Sequence, residues 1–160
     1  LVFGFLKPHN LSARLQRLKT QQLFSSLTPR ELKMVDSMLH ARHYLAGEIV
    51  FDEGEEGQAL YILLAGTVTI SWTRDGVREV LAELTAGSFF GDLALLDNTP
   101  RSAQVRAKEA CEMAVFFRAD FLALMETDAT IGYKISLQLA RNLAHRLRAQ
   151  ALTRPRIEAL

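Results

Sequence analysis

The 160-residue chain has a single cysteine, Cys111, so no disulfide can form within it, which suits a reducing compartment. It has no apolar run of membrane-spanning length. The opening "LVFGFL" stops after six residues at Lys7 and Pro8, and it lacks the basic flank and small-residue cleavage site of a secretory leader. Charge of one sign is not in excess either. Nineteen basic against eighteen acidic side chains leave a net charge of +1, which gives no global field to attract nucleic acid or a membrane. There is no internal repeat and no low-complexity tract. Together these absences point to a cytoplasmic protein with no membrane partner. The first residue is Leu rather than Met, which leaves room for a longer polypeptide around it.

What is there reads as one domain with a real core. Apolar residues make up 49% and charged residues 23%, a globular balance rather than a disordered one. The charges are unevenly spread. From Glu48 to Asp97 the chain is acidic, with only Arg74 and Arg78 as cations, whereas Arg141 to Arg156 is almost purely basic. That basic tail reads as a solvated helix face, not as a DNA contact.

Three textures follow one another. Ser12 to about Leu23 suggests a short helix with Leu15, Leu18 and Gln22 on one face. Thr28-Pro29-Arg30-Glu31 combines an N-cap hydroxyl, a proline at the first helical position and a capping-box glutamate. The helix it opens carries Leu32, Val35, Met38 and Leu39 inward and is expected to end near His43. From Tyr44 to Phe117, short β-branched and aromatic runs are punctuated by Gly47, Gly54, Gly57, Gly66, Gly76 and Gly87, the pattern of a barrel or double-sheet roll. Asp75-Gly76 between two such runs is a hairpin signal. Helical spacing then returns: Asp120 is expected to cap a short helix, "FLALMET". A longer helix, from about Ala129 to Gln150, carries Ile131, Ile135, Leu139, Leu143 and Leu147, and Pro155 closes it.

The chemistry concentrates in "FFGDLALLDNTPRSAQV", Phe89 to Val105. A helical turn from Asp92 to Asp97 presents backbone N–H groups, which favour negative charge. Gly91 leaves room for close approach to the backbone. Arg101 brings a fork of donors suited to a phosphate, and Ser102 and Ala103 add a hydroxyl and a reachable N–H. Asp92 would repel that anion but would accept a hydrogen bond from a sugar hydroxyl. One anion plus one sugar hydroxyl describes a nucleotide. A plain ion pair of Arg101 with Asp92 or Asp97 uses the same residues.

Phe90-Gly91-Asp92-Leu93-Ala94-Leu95, four further residues, then Pro100-Arg101-Ser102-Ala103 resembles the phosphate-binding cassette of the cyclic nucleotide-binding domain family. Protein kinase A regulatory subunits, the catabolite activator protein and cyclic nucleotide-gated channels share that domain. "GEIVFDEGEEGQALYILLAGTV" is similar to the strands and turns upstream of the cassette, and the likeness runs from about Phe24 to Gln150. It implies an α+β fold: a β-roll, or double-stranded jelly-roll-like barrel, with short N-terminal helices, one helical turn in the cassette and two C-terminal helices. The implied layout is a tail and short helix at 1–23, the binding domain at 24–150 (roll about 44–117, helices about 120–150) and a tail at 151–160.

The resemblance also implies a ligand, cyclic AMP ahead of cyclic GMP, and no catalytic cofactor or metal. Arg101 would pair with the cyclic phosphate, helped by Ser102 and Ala103. Gly91 and Asp92 would meet the ribose 2′-hydroxyl, with Leu93 and Ala94 continuing the turn. Ile70 and Leu81, with Ala82 beside them, fall where the family lines the base pocket, and Arg146 and Leu147 fall on the lid helix. For Ile70 and Leu81 a plain core role fits equally well. Asp92 replaces the family's glutamate and is one methylene shorter, a retreat of roughly 1.5 Å.

The expected function is therefore a sensor module that couples ligand binding to movement of its C-terminal helices, with a homodimer through the last helix or another protein as partner. Two alternatives stand beside it: a degenerate fold acting as a ligand-free interaction module, and the sensor part of a truncated transcription regulator. An enzyme is not expected. His40 and His43 are read as surface residues at a helix end and His145 as solvated. Cys111 is read as a buried core thiol.

Overall fold

The computed structural model describes residues 12–153. The opening "LVFGFL", Pro155 and the basic residues after 153 lie outside that range. Ser12 accepts a hydrogen bond from the Leu15 N–H (3.3 Å) and caps α1, Ala13–Lys19. The expected continuation to Leu23 does not occur. The helix stops at Thr20, and a separate 3-10 turn, Gln22–Phe24, follows. That break buries Gln21, Leu23 and Phe24 and leaves Gln22 exposed, so Gln22 is not on the core face.

Helix α2, Pro29–Asp36, starts on a complete capping box. The Glu31 N–H donates to the Thr28 hydroxyl (3.3 Å) and the Thr28 N–H donates to the Glu31 carboxylate (2.8 Å). It ends a full seven residues before His43, because His40–Tyr44 form β1, paired antiparallel with Cys111–Phe117, β8. Both histidines therefore lie on a strand. Among the described residues no cluster of three His, Cys, Asp or Glu side chains could hold a metal ion. His40 sits edge-on to Phe117 and 3.6 Å from Asp120.

The remaining strands are β2 (Ile49–Phe51), β3 (Ala59–Ala65), β4 (Thr67–Arg74), β5 (Val77–Thr85), β6 (Phe89–Phe90) and β7 (Gln104–Ala107). They form two four-stranded antiparallel sheets, β1-β8-β3-β6 and β2-β7-β4-β5. The sheets face each other as a roll and do not close into a barrel. The inner strands of the first sheet, β3 and β8, are covered on both faces. Leu60, Ile62, Leu64, Ala114 and Phe116 point to the helices, while Leu63, Cys111 and Met113 point to Phe51, Val68 and Val105 of the second sheet. Period-two alternation with both faces covered explains the unbroken apolar run "ALYILLA". The β4–β5 hairpin turns on Asp75 (φ 52°) and Gly76 (φ 77°), the paired positive angles that match strand twist.

Between β6 and β7 the chain makes α3, Leu93–Leu96. Helix α4 spans Arg118–Thr127 with Phe117, not Asp120, at its N-cap; Asp120 lies in the first turn. Helix α5 then runs from Ala129 to Thr153. Arg118 ties α4 to the end of α3, donating to the carbonyls of Ala94 (3.3 Å) and Asp97 (2.8 Å) and to Asn98 Oδ1 (2.5 Å). A four-residue helix leaves its last carbonyls unpaired, and a cation satisfies them.

Candidate functional site

A cavity of about 510 Å³ opens where α3, the second sheet and the far half of α5 converge. Eleven of the twelve residues expected at the site line it: Gly91, Asp92, Leu93, Ala94, Arg101, Ser102, Ala103, Ile70, Leu81, Arg146 and Leu147. Ala82 does not. The register passes from Ile70 opposite Ala82 to Ser71 opposite Val80, so Leu81 is an extra residue in β5. Such a bulge re-aims one side chain, and Leu81 is the one at the cavity wall.

Arg101 is held at the cavity floor, 8% exposed. Its Nη2 donates to the Ala59 carbonyl (2.8 Å) and its Nη1 to that of Gly91 (3.2 Å). Among the described residues it forms no ion pair: Asp97 accepts from Thr99 (2.6 Å) and Asp92 pairs with Arg146. The plain Arg101–Asp92 or Arg101–Asp97 bridge is thus not what the fold makes. Gly91, at φ +72°, is required by Arg101 itself, since a Cβ there would come within 2.6 Å of Nη1. Burial pulls the Arg101 guanidinium below its ordinary value, because desolvation disfavours the cation.

Asp92 is 2% exposed, and its carboxylate receives both Arg146 amino groups, at 3.0 and 3.3 Å. Arg146 reaches in from α5, fifty-four residues later, with its own side chain 46% exposed. Leu143, Arg146, Leu147 and Gln150 share one face of α5, three or four residues apart, and this face forms the outer wall.

The sequence reading missed Trp72, Arg74, Phe51, Leu143 and Gln150, all of which line the cavity. Trp72 and Arg74 follow Ile70 at period two on β4, so strand alternation carried the signal. Leu143 and Gln150 follow from Leu147 by helical spacing. Arg74 lies over the Trp72 ring at 4.2 Å and is paired with Glu53 (2.6 Å). Cys111 is buried as expected; burial pushes its thiol up from its ordinary value.

A two-sheet roll carrying a short helix with a buried arginine behind it, and a C-terminal helix across the opening, defines a ligand-binding regulatory domain. Comparison with known proteins identifies which one. The family model of the cyclic nucleotide-binding domain matches residues 41–128, and the chain belongs to that family. It is 37% identical over 127 residues to the cyclic AMP receptor protein of Thermus thermophilus, covering 79% of this chain and 59% of that one. It is 38% identical over 92 residues to the cAMP-dependent protein kinase regulatory subunit of Mycosarcoma maydis, covering 58% and 18%. The solved structure of the Thermus thermophilus catabolite activator protein superimposes with a TM-score of 0.75 at 37% identity, covering 82% of this chain and 61% of that one. The chain thus spans about three fifths of the bacterial relative and under a fifth of the fungal one.

Proposed function

We propose that this domain is a sensor that binds cyclic AMP in preference to cyclic GMP and couples binding to its C-terminal helices. The observation that carries the reading is Arg101: a buried guanidinium at the floor of a nucleotide-sized cavity, paired with no carboxylate among the described residues. Its free donors, with Ser102 and Ala103, take the cyclic phosphate. Gly91 and Asp92 meet the ribose, Ile70 and Leu81 flank the base, and Leu147 closes over it from α5.

Coupling follows from two ties. Arg118 binds the end of α3 to α4, and Arg146 binds Asp92 to α5. A ligand that orders α3 acts on both helices at once and shifts the population of α5 positions. The sensor part of a transcription regulator is a second reading, favoured by the likeness to the cAMP-activated global transcriptional regulator of Pseudomonas aeruginosa.

Titration calorimetry with each nucleotide, on the parent and on Arg101→Ala, tests the reading. Losing a buried partner of the phosphate costs roughly 2–5 kcal/mol. Binding by Arg101→Ala within twofold of the parent rejects it, and a tenfold preference for cyclic GMP overturns the choice of base. One observation favours the ligand-free alternative, namely that Asp92 is already satisfied by Arg146. Equal affinity for cyclic AMP and its 2′-deoxy form would mean that Asp92 stays with Arg146.

A further inference from the structure

The Arg101 guanidinium lies 4.0 Å from the ring centroid of Phe51 and 5.7 Å from that of Tyr61. Those rings belong to one aromatic wall. Tyr61 stacks on Phe90 at 5.5 Å with planes 3° apart, and Phe51 tilts against both, at 5.5 and 5.9 Å. Phe51 comes from β2 of one sheet, Tyr61 and Phe90 from β3 and β6 of the other. Phe51 is itself buried.

The direct contacts of Arg101 are also neutral; the carboxylates of Glu55 and Asp92 act on it only through space, with no hydrogen bond to it among the described residues. Two backbone carbonyls take one donor each. Gly57 closes in beside Nε, where a Cβ would sit 3.3 Å from it and 2.9 Å from Ala94 Cβ. Nε has no hydrogen-bond partner among the described residues.

A carboxylate would hold this cation through its in-plane N–H donors, the same donors an incoming phosphate needs, and would have to be displaced. An aromatic ring holds the cation through its face and leaves the in-plane edge open. We propose that Phe51 is a positioning residue for the anion site: its ring holds the Arg101 guanidinium by the face, so that the charge stands ready for a phosphate with no counter-ion to remove. The inference rests on reading the cavity as the nucleotide site. Burial alone works against the cation, and the ring's quadrupole offsets part of that cost.

The test uses Phe51→Leu, which keeps an apolar side chain without the ring, and Phe51→Tyr, which keeps the ring. Phe51→Leu should weaken cyclic AMP binding by roughly 3- to 30-fold, the range a desolvated cation–π contact commands. Phe51→Tyr should stay within about twofold of the parent, since the ring face is retained. Adenosine, which has no phosphate, should bind parent and Phe51→Leu alike. By NMR, the Arg101 Nε–H proton should be shifted upfield by the ring in the parent and in Phe51→Tyr, and return to its ordinary position in Phe51→Leu. Equal loss of adenosine binding, loss in Phe51→Tyr as large as in Phe51→Leu, or an unmoved Nε–H signal would each reduce Phe51 to packing and overturn the proposal. If the parent binds no cyclic AMP, the functional reading fails, and inorganic pyrophosphate becomes the probe. Tighter pyrophosphate binding by the parent than by Phe51→Leu still supports the role of the ring. Equal binding, or none, overturns it.

Discussion

The two halves of α5 are one continuous helix in two different environments. From Ala129 to Leu139 it is bolted into the core: Ile131, Ile135 and Leu139 are fully buried among Leu18, Leu23, Leu32 and Phe121. Lys134 adds a tie to Glu31 (2.8 Å), the carboxylate that also closes the capping box of α2. Gly132 permits the close crossing with α4, since a Cβ there would meet Met125 at 2.9 Å. Beyond Leu139 the same four-residue stripe continues through Leu143 and Leu147, yet Leu147 is 66% exposed. Among the described residues, Arg146 ties this half to the rest of the domain through its ion pair with Asp92. A single hydrophobic period thus serves as anchor at one end and as a loosely held cover at the other.

The largest effect should come from breaking the anchor. Ile135→Ala removes a fully buried side chain and should cost about 2–5 kcal/mol in urea unfolding, whereas Leu147→Ala should stay within about 0.5 kcal/mol. Comparable losses at the two positions would erase the distinction between the halves.

The next effect isolates the cover. Arg146→Ala should release the far half without loosening the near one, raising hydrogen exchange of amides around 143–152 roughly fivefold, or about 1 kcal/mol. Amides around 131–139 should keep their protection. Uniform acceleration along the helix would show that α5 moves as one piece.

The smallest effect concerns the anchor's electrostatic tie. The hydrogen bond from Lys134, followed by that from the Thr28 backbone, holds the Glu31 carboxyl below the usual carboxylate range. A depressed folded value gives stability that is present above the unfolded value and lost as pH falls through the folded one. Lys134→Met should therefore cost about 0.5 kcal/mol at pH 7. It should also narrow the gap to the parent below about pH 4.3. A gap that persists unchanged at pH 3 would assign the effect to packing.

The sequence disclosed what is local. Thr28 to Glu31 announced a helix start because all its partners lie within four residues, and Asp75-Gly76 announced a hairpin for the same reason. Arg101 with Ser102 and Ala103 was legible because the cassette is contiguous. Pairings formed only in three dimensions were not legible. The strand at His40–Tyr44 is made by a partner seventy residues away, and its own side chains are mostly exposed, so no alternation marks it. The bulge that turns Leu81 inward and leaves Ala82 out arises from the register of two strands. Asp92 and Arg146 were both singled out, but for separate contacts with a ligand rather than for each other. Phe51 looked like any strand aromatic until β2 was set beside Arg101.

Trp72 is the only tryptophan in the chain, and it stands in the cavity wall with its indole N–H donated to Glu79 (3.0 Å) and Arg74 over its ring. All indole emission from the protein therefore originates at the mouth of this one cavity. A guanidinium lying against the ring and a hydrogen-bonded indole nitrogen both tune that emission, so whatever enters or leaves changes its colour or brightness directly. The domain carries its own optical gauge, and occupancy can be followed with no dye attached.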